Sequence, residues 1–141
     1  MPEITRSKIG AILAELRRYQ VDFIVVGGVA AVLEGVPVNT FDLDVVHSRT
    51  PDNIDRLRMA LGSLGAVCGM RAVLDLLGEI GRSRGYDELL PHTGEMELSA
   101  GLHVRVLNLE MLIAVKEEIA GAKDLAVLPV MRRTLEEKQR R

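Results

Sequence analysis

The residues best placed to do chemistry are two aspartates one position apart, in Thr40-Phe41-Asp42-Leu43-Asp44-Val45-Val46. Read as a strand, Thr40 to His47 points alternate side chains to opposite faces. Phe41, Leu43 and Val45 then share a face suited to the core. Thr40, Asp42 and Asp44 share the other, with the aspartate Cα atoms roughly 6.5–7 Å apart. Aspartate is a poor strand former, and two ionised neighbours repel until one takes up a proton. A divalent cation removes that penalty. Mg²⁺ in particular favours one or two carboxylates completed by substrate phosphate oxygens. A second feature lies upstream, where the apolar run Val21 to Val26 stops at Gly27-Gly28 and Val29 to Glu34 reads as a short helix. Strand, glycines, helix is a geometry in which backbone N–H groups meet phosphate. Glycine permits both the sharp turn and the close approach. Paired glycines also close ordinary turns, and alternating aspartates also decorate solvated strands, so neither half is diagnostic alone.

The elements that must position these residues follow from periodicity. Thr5 to Tyr19 reads as an amphipathic helix carrying Ile9, Ile12, Leu13 and Leu16 at helical spacing. Thr50-Pro51-Asp52 is a helix start, with a capping hydroxyl, proline at the first position and an acid in the first turn. That helix runs through Ile54, Leu57, Leu61 and Leu64 to Gly65. Ala72 to Leu77 reads as a strand, Gly78 to Gly85 as a loop and Tyr86 to Leu90 as a helical turn before Pro91. Met96 to Ser99 and Leu102 to Leu107 form a hairpin joined at Ala100-Gly101. Asn108 caps a helix with Leu109, Leu112, Ile113, Val115 and Ile119, interrupted at Gly121. Lys123 to Leu128 resumes it before Pro129, and Val130 to Arg141 is a last, separate helix. This order predicts an α/β (α+β) domain with a small mixed β-sheet flanked by helices.

Bulk composition narrows the classes. The 141 residues fit one domain. At 48% hydrophobic and 3% aromatic, the chain can build a core that must be aliphatic. A net charge of −2 lacks the basic surplus of a non-specific nucleic-acid binder. The single cysteine, Cys68, forbids an intrachain disulfide and suits a reducing cytoplasm. The charged N-terminal segment has no apolar core of a signal peptide, and Ile24 to Leu33 is about half the roughly 20 residues a membrane helix needs. These features predict a soluble cytoplasmic protein. His47, His92 and His103 have no metal-ligand spacing, and Cys68 has no basic neighbour to activate it. The charged tail from Arg132 reads as a solvated helix end. No G-x-G-x-x-G follows the first strand and no G-x-x-x-x-G-K occurs, which disfavours a Rossmann or P-loop site.

In combination the two features are more specific. An apolar strand, Gly27-Gly28, thirteen residues and then Asp42-x-Asp44 in a second apolar strand resembles the signature of the nucleotidyltransferase superfamily. The flanks Val25-Val26-Gly27-Gly28-Val29-Ala30-Ala31, Gly35-Val36-Pro37 and Thr40-Phe41-Asp42-Leu43-Asp44 are similar to the small bacterial and archaeal members related to abortive-infection toxins. So are Leu107 to Lys116 and Lys123-Asp124-Leu125, and the likeness spans roughly residues 20 to 130. It implies a nucleotidyltransferase fold and transfer of a nucleoside monophosphate from a Mg²⁺-bound NTP, with ATP the first choice, to an acceptor hydroxyl. It assigns two Mg²⁺ ions to Asp42 and Asp44 and the phosphates to Gly27 and Gly28. Members need a third carboxylate on a neighbouring strand. Asp75, the lone charge in Val73-Leu74-Asp75-Leu76-Leu77, is the candidate, with an ion pair to Arg71 or another cation as the plain reading. Lys116 and Lys123, seven apart, are candidates of which one reaches the nucleotide substrate, and Thr40 shares the aspartate face; both lysines also read as ordinary solvated or ion-paired side chains.

Three departures from relatives stand out. Only nine residues separate Gly65 from Asp75, where relatives carry a longer stretch. Val38 sits where many have arginine, and the turn before Lys123 lacks another. The alternative reading is therefore a catalytically weak or inactive nucleotidyltransferase-fold module that binds nucleotide or a protein, for instance in a toxin–antitoxin pair. A purely structural α/β protein is a third. The likeness also implies an antitoxin or helical partner, and self-association or a partner chain could supply the acceptor site that so small a chain lacks.

Overall fold

A computed structural model describes residues 8–40, 42–65, 73–119 and 122–140, with side chains from residue 126 onward in the last segment. Helix α1 (Lys8–Arg18) buries Ile9, Ile12, Leu13 and Leu16, the stripe expected from their spacing. Strand β1 (Phe23–Val26) is buried along its whole length. Helix α2 (Gly27–Leu33) begins at the diglycine itself, two residues earlier than the sequence suggests. Strand β2 (Leu43–His47) follows, then α3 (Pro51–Gly65) with the proline start and glycine end that its sequence predicts. The Thr50 hydroxyl accepts the Asn53 amide at 3.4 Å, as a capping residue should.

Strand β3 (Leu74–Leu77) is followed by a small antiparallel hairpin, β4 (Glu79–Ile80) and β5 (Arg84–Gly85), where the sequence reads as a loop. Helix α4 (Tyr86–Leu89) and a 3₁₀ turn (Leu90–His92) lead into β6 (Thr93–Ser99) and β7 (Leu102–Leu107). Helix α5 (Leu109–Glu118) is capped by Asn108, whose side chain accepts the Met111 amide at 2.8 Å. Helix α6 (Ala122–Gln139) runs unbroken through Pro129, which corrects the expectation of two helices. The proline removes one backbone hydrogen bond. Leu128 and Met131, both buried on the core side, hold the helix on each side of it.

Five strands form one mixed sheet in the order β3-β2-β1-β7-β6, with β4 and β5 as a separate pair. β2 runs antiparallel to β1, β3 parallel to β2, β7 parallel to β1 and β6 antiparallel to β7. The chain is thus an α/β domain built on a mixed sheet, as its element order implies. The core is aliphatic: Ile12, Leu13, Leu16, Ile24, Val25, Leu43 and Leu107 are fully buried. One acid ties three helices together. Glu34, just beyond α2, accepts the Leu109 amide at the start of α5 at 2.9 Å and lies 3.5 Å from the Lys138 ammonium of α6. Among the described residues, no helix is long and apolar enough to cross a membrane.

Candidate functional site

Register builds the site. Val26, the last residue of β1, pairs with Asp44 of β2, and Asp44 pairs with Asp75 of β3. Residues paired across neighbouring strands face the same way, so the end of β1 and the two acids form a row across three strands. The diglycine bend begins immediately after Val26 and lands on this row. Gly27 has φ +65°, a left-handed conformation that costs other residues roughly 1–2 kcal/mol. A Cβ at Gly27 would collide with Asp44 Oδ2, and one at Gly28 would lie 2.6 Å from Thr40 Oγ1. The bend therefore needs glycine twice over, for its backbone and because the carboxylate and hydroxyl pack flat against it.

The three acids are not equivalent. Asp44 is half-buried, whereas Asp42 and Asp75 are exposed. The strand begins at Leu43, so Asp42 stands just before it instead of inside the alternation. The Thr40 hydroxyl donates to the Asp42 carbonyl at 3.3 Å, bracing that entrance. Burial pushes the Asp44 carboxyl up from 3.8 to about 6. Its hydrogen bond with Asp75 and the charges of Asp75 and Asp42 add to the rise, and the Lys116 ammonium opposes it. Here is the like-charge crowding that the sequence foretells, but between Asp44 and Asp75 more than between Asp44 and Asp42.

A cavity of about 460 Å³ opens beside this row. Gly27, Gly28, Asp44 and Lys116 line its polar side, with Asn39 at the rim. Its other walls are aliphatic: Leu77 and Ile80 from the β3–β4 region, Leu112 and Val115 from α5, and Val127 and Met131 from α6. Few polar groups converging at the edge of an apolar pocket are the usual makeup of a small-molecule site. The structure brings Gly27, Gly28, Thr40, Asp44, Asp75 and Lys116 together. The Lys123 side chain, Arg71 and Cys68 lie outside what is described. The apolar wall read from sequence only as core. Leu112, Val115 and Ile119 at helical spacing are equally consistent with either role, and no signal in Gly78–Gly85 marks Ile80 as a wall residue.

The donor set suits a hard cation only in part. Among the described residues, no three histidine, cysteine, aspartate or glutamate side chains form a finished cation cage. What exists is a carboxylate pair with a third acid beside it. That is a donor set Mg²⁺ accepts when substrate phosphates complete its shell.

A second cavity of about 390 Å³ lies at the start of β1, lined by Phe23 with Arg17, Asp22, Tyr86, Glu95, His103 and Arg105. Its charged side chains have partners, some of them neutral: Arg17 donates to the Val21 carbonyl at 3.3 Å. His103 bridges Glu95 at 3.2 Å and Glu97 at 3.1 Å, Asp22 lies 3.5 Å from Arg56, and Arg105 donates to Thr93 Oγ1 at 3.1 Å. His103 lines this second cavity and His47 another, and no histidine lines the cavity beside the carboxylate row.

No protein-family profile matches the chain, and no curated protein matches it significantly in sequence.

Proposed function

We propose that the chain is a nucleotidyltransferase-fold enzyme that moves a nucleoside monophosphate from an NTP to an acceptor hydroxyl. The observation that carries this reading is the row formed by the diglycine bend, Asp44 and Asp75 beside a cavity of about 460 Å³. Asp42, Asp44 and Asp75 would hold Mg²⁺, which supplies positive charge to the phosphates and to the attacking and leaving oxygens. Gly27 and Gly28 expose backbone to the triphosphate, because neither carries a side chain that would keep phosphate at a distance. Lys116 adds positive charge at the same rim. The aliphatic walls from α5, α6 and Ile80 exclude water and take the nucleoside. The acceptor oxygen attacks the α-phosphorus as the bond to pyrophosphate breaks, and a carboxylate left without its own proton takes the one from the acceptor.

The test is incubation of the protein with α-labelled NTPs and cell extract. Label on RNA, protein or a small molecule, lost in Asp44→Asn, supports transfer. Titration calorimetry with Mg²⁺ and ATP, beside the double variant Asp42→Ala with Asp44→Ala, tests binding alone. Absence of heat in the native protein would leave only a structural role. A second reading is favoured by the short stretch between Gly65 and Asp75 and by the exposure of two of the three acids. It is a module that binds nucleotide with little or no transfer. Binding without label in any fraction would select it. A toxin-like role with an antitoxin partner rests on the sequence likeness, and co-expression with a neighbouring helical protein that relieves growth arrest would support it.

A further inference from the structure

The hairpin formed by β4 and β5 has little to hold it. Each strand is two residues long, and a hairpin that short is not stable by itself in water. Its turn carries two left-handed residues, Gly81 at φ +59° and Ser83 at φ +61°, which adds cost at the serine. Ile80 packs against the core cluster, and the polar support comes from α5. Glu118 accepts the Arg82 backbone amide through Oε1 at 3.1 Å, and its Oε2 lies 2.6 Å from the Arg84 guanidinium. Arg84 also reaches Met111 Sδ, one and a half to two turns earlier on the same helix, at 3.6 Å. Gly81 lies flat on that helix, since a Cβ there would stand 2.6 Å from Glu118 Oε1 and 3.6 Å from Val115. The Glu118 and Arg84 side chains are only 15% and 30% exposed, so water screens their pairing less than at an open surface.

The hairpin matters because Ile80 is a wall of the larger cavity. Leu112, Val115, Lys116 and Ile119 of α5 line the same space. We propose that Glu118 is a positioning residue. By gripping Arg82 and Arg84 it clamps the 79–85 hairpin onto α5 as a wall of the cavity, and so sets how tightly the cavity holds a nucleoside. Only the identity of that occupant rests on the nucleotidyltransferase reading. Freed from Glu118, the hairpin would swing out with Ile80 and open the cavity on one side without disturbing Asp44 or Asp75.

The test uses the full chain in three variants: Glu118→Gln, Arg84→Met, and the reversed pair Glu118→Arg with Arg84→Glu. Amide hydrogen exchange reads the hairpin directly, and a fluorescent ribose-labelled ATP analogue with Mg²⁺ reads the cavity. Loss of a charged hydrogen bond should speed exchange across residues 80–85 about tenfold, with β1 and β7 unchanged. Analogue affinity should fall about tenfold in step, and any transfer should show a raised KM with kcat kept. The reversed pair should recover only the part of both effects that the ion pair supplies, because a guanidinium cannot accept the Arg82 amide. Unchanged hairpin exchange, or faster exchange with unchanged affinity, would overturn the proposal. If the native protein binds no nucleotide, the nucleotidyltransferase reading falls, and exchange alone decides the clamp. Arg84→Met leaves the Glu118–Arg82 bond in place and stays informative should Glu118→Gln fail to fold.

Discussion

The two cavities at opposite ends of β1 are close in size, about 390 and 460 Å³, and opposite in charge logic. At the start of the strand both signs are present, and the charged side chains have ionic or neutral hydrogen-bonding partners. At its end, Asp42 and Asp75 crowd Asp44, with the Lys116 charge opposing them. Folding alone rewards the first arrangement, because paired charges at a wet rim cost little. It does not reward the second, where a half-buried carboxyl is pushed up to about 6 by its surroundings. Crowded like charge is tolerated when something outside the chain is meant to neutralise it, and such perturbed groups concentrate at functional sites. By this measure the larger cavity is the better candidate for a functional site.

The contrast can be broken most sharply at Asp44. Asp44→Asn should lower any nucleotidyl transfer at least about a hundredfold. The same change should raise thermal stability near neutral pH by on the order of 1 kcal/mol, after allowing for partial screening. Scanning calorimetry would register this as a rise of roughly 3 °C. A variant that loses activity and stability together would mean that the acids are structural. Gly27→Ala comes next. It meets both the left-handed backbone and Asp44 Oδ2, and chemical denaturation should show a loss of about 2 kcal/mol or more.

Acidity sharpens the comparison further. The folded value of Asp44, about 6, lies above its ordinary 3.8, so the native protein keeps a proton that the unfolded chain releases. Its contribution is fully present below about pH 4 and lost as pH rises through about 6. Unfolding free energies measured across this window should therefore fall by on the order of 1 kcal/mol, and the fall should be missing in Asp44→Asn. The smallest effect belongs to the other cavity. Arg105→Ala should change stability by about 0.5 to 1 kcal/mol and leave nucleotide affinity within error in a fluorescence titration. A large loss of affinity there would reverse the assignment of the two cavities.

Much of the site was legible in local sequence. The diglycine bend, the neighbouring Asp44 and the caps of α3 and α5 all depend on residues a few positions apart, where residue type dictates conformation. Asp75 was legible as an oddity, one charge in an apolar run, but its contact with Asp44 depends on how β3 docks beside β2. Such register is set by long-range packing. The hairpin at 79–85 escaped because two-residue strands leave almost no periodicity to read. Pro129 misled for the opposite reason. A strong local signal for a break was overridden by the burial of Leu128 and Met131. Asp42 shows the limit of alternation, since the strand starts one residue too late to include it.

Glu34 gives the two ends of the chain a common fate. It joins the residue after the bend's helix to the head of α5 and, through Lys138, to the tail of α6. A protease cut or an appended tag near Lys138 would thus be felt at a bend more than a hundred positions earlier, because the partners are 104 residues apart in sequence. Anyone preparing the protein for assays should treat the last turn of α6 as a support for the end of α2, and trim it only with that in mind.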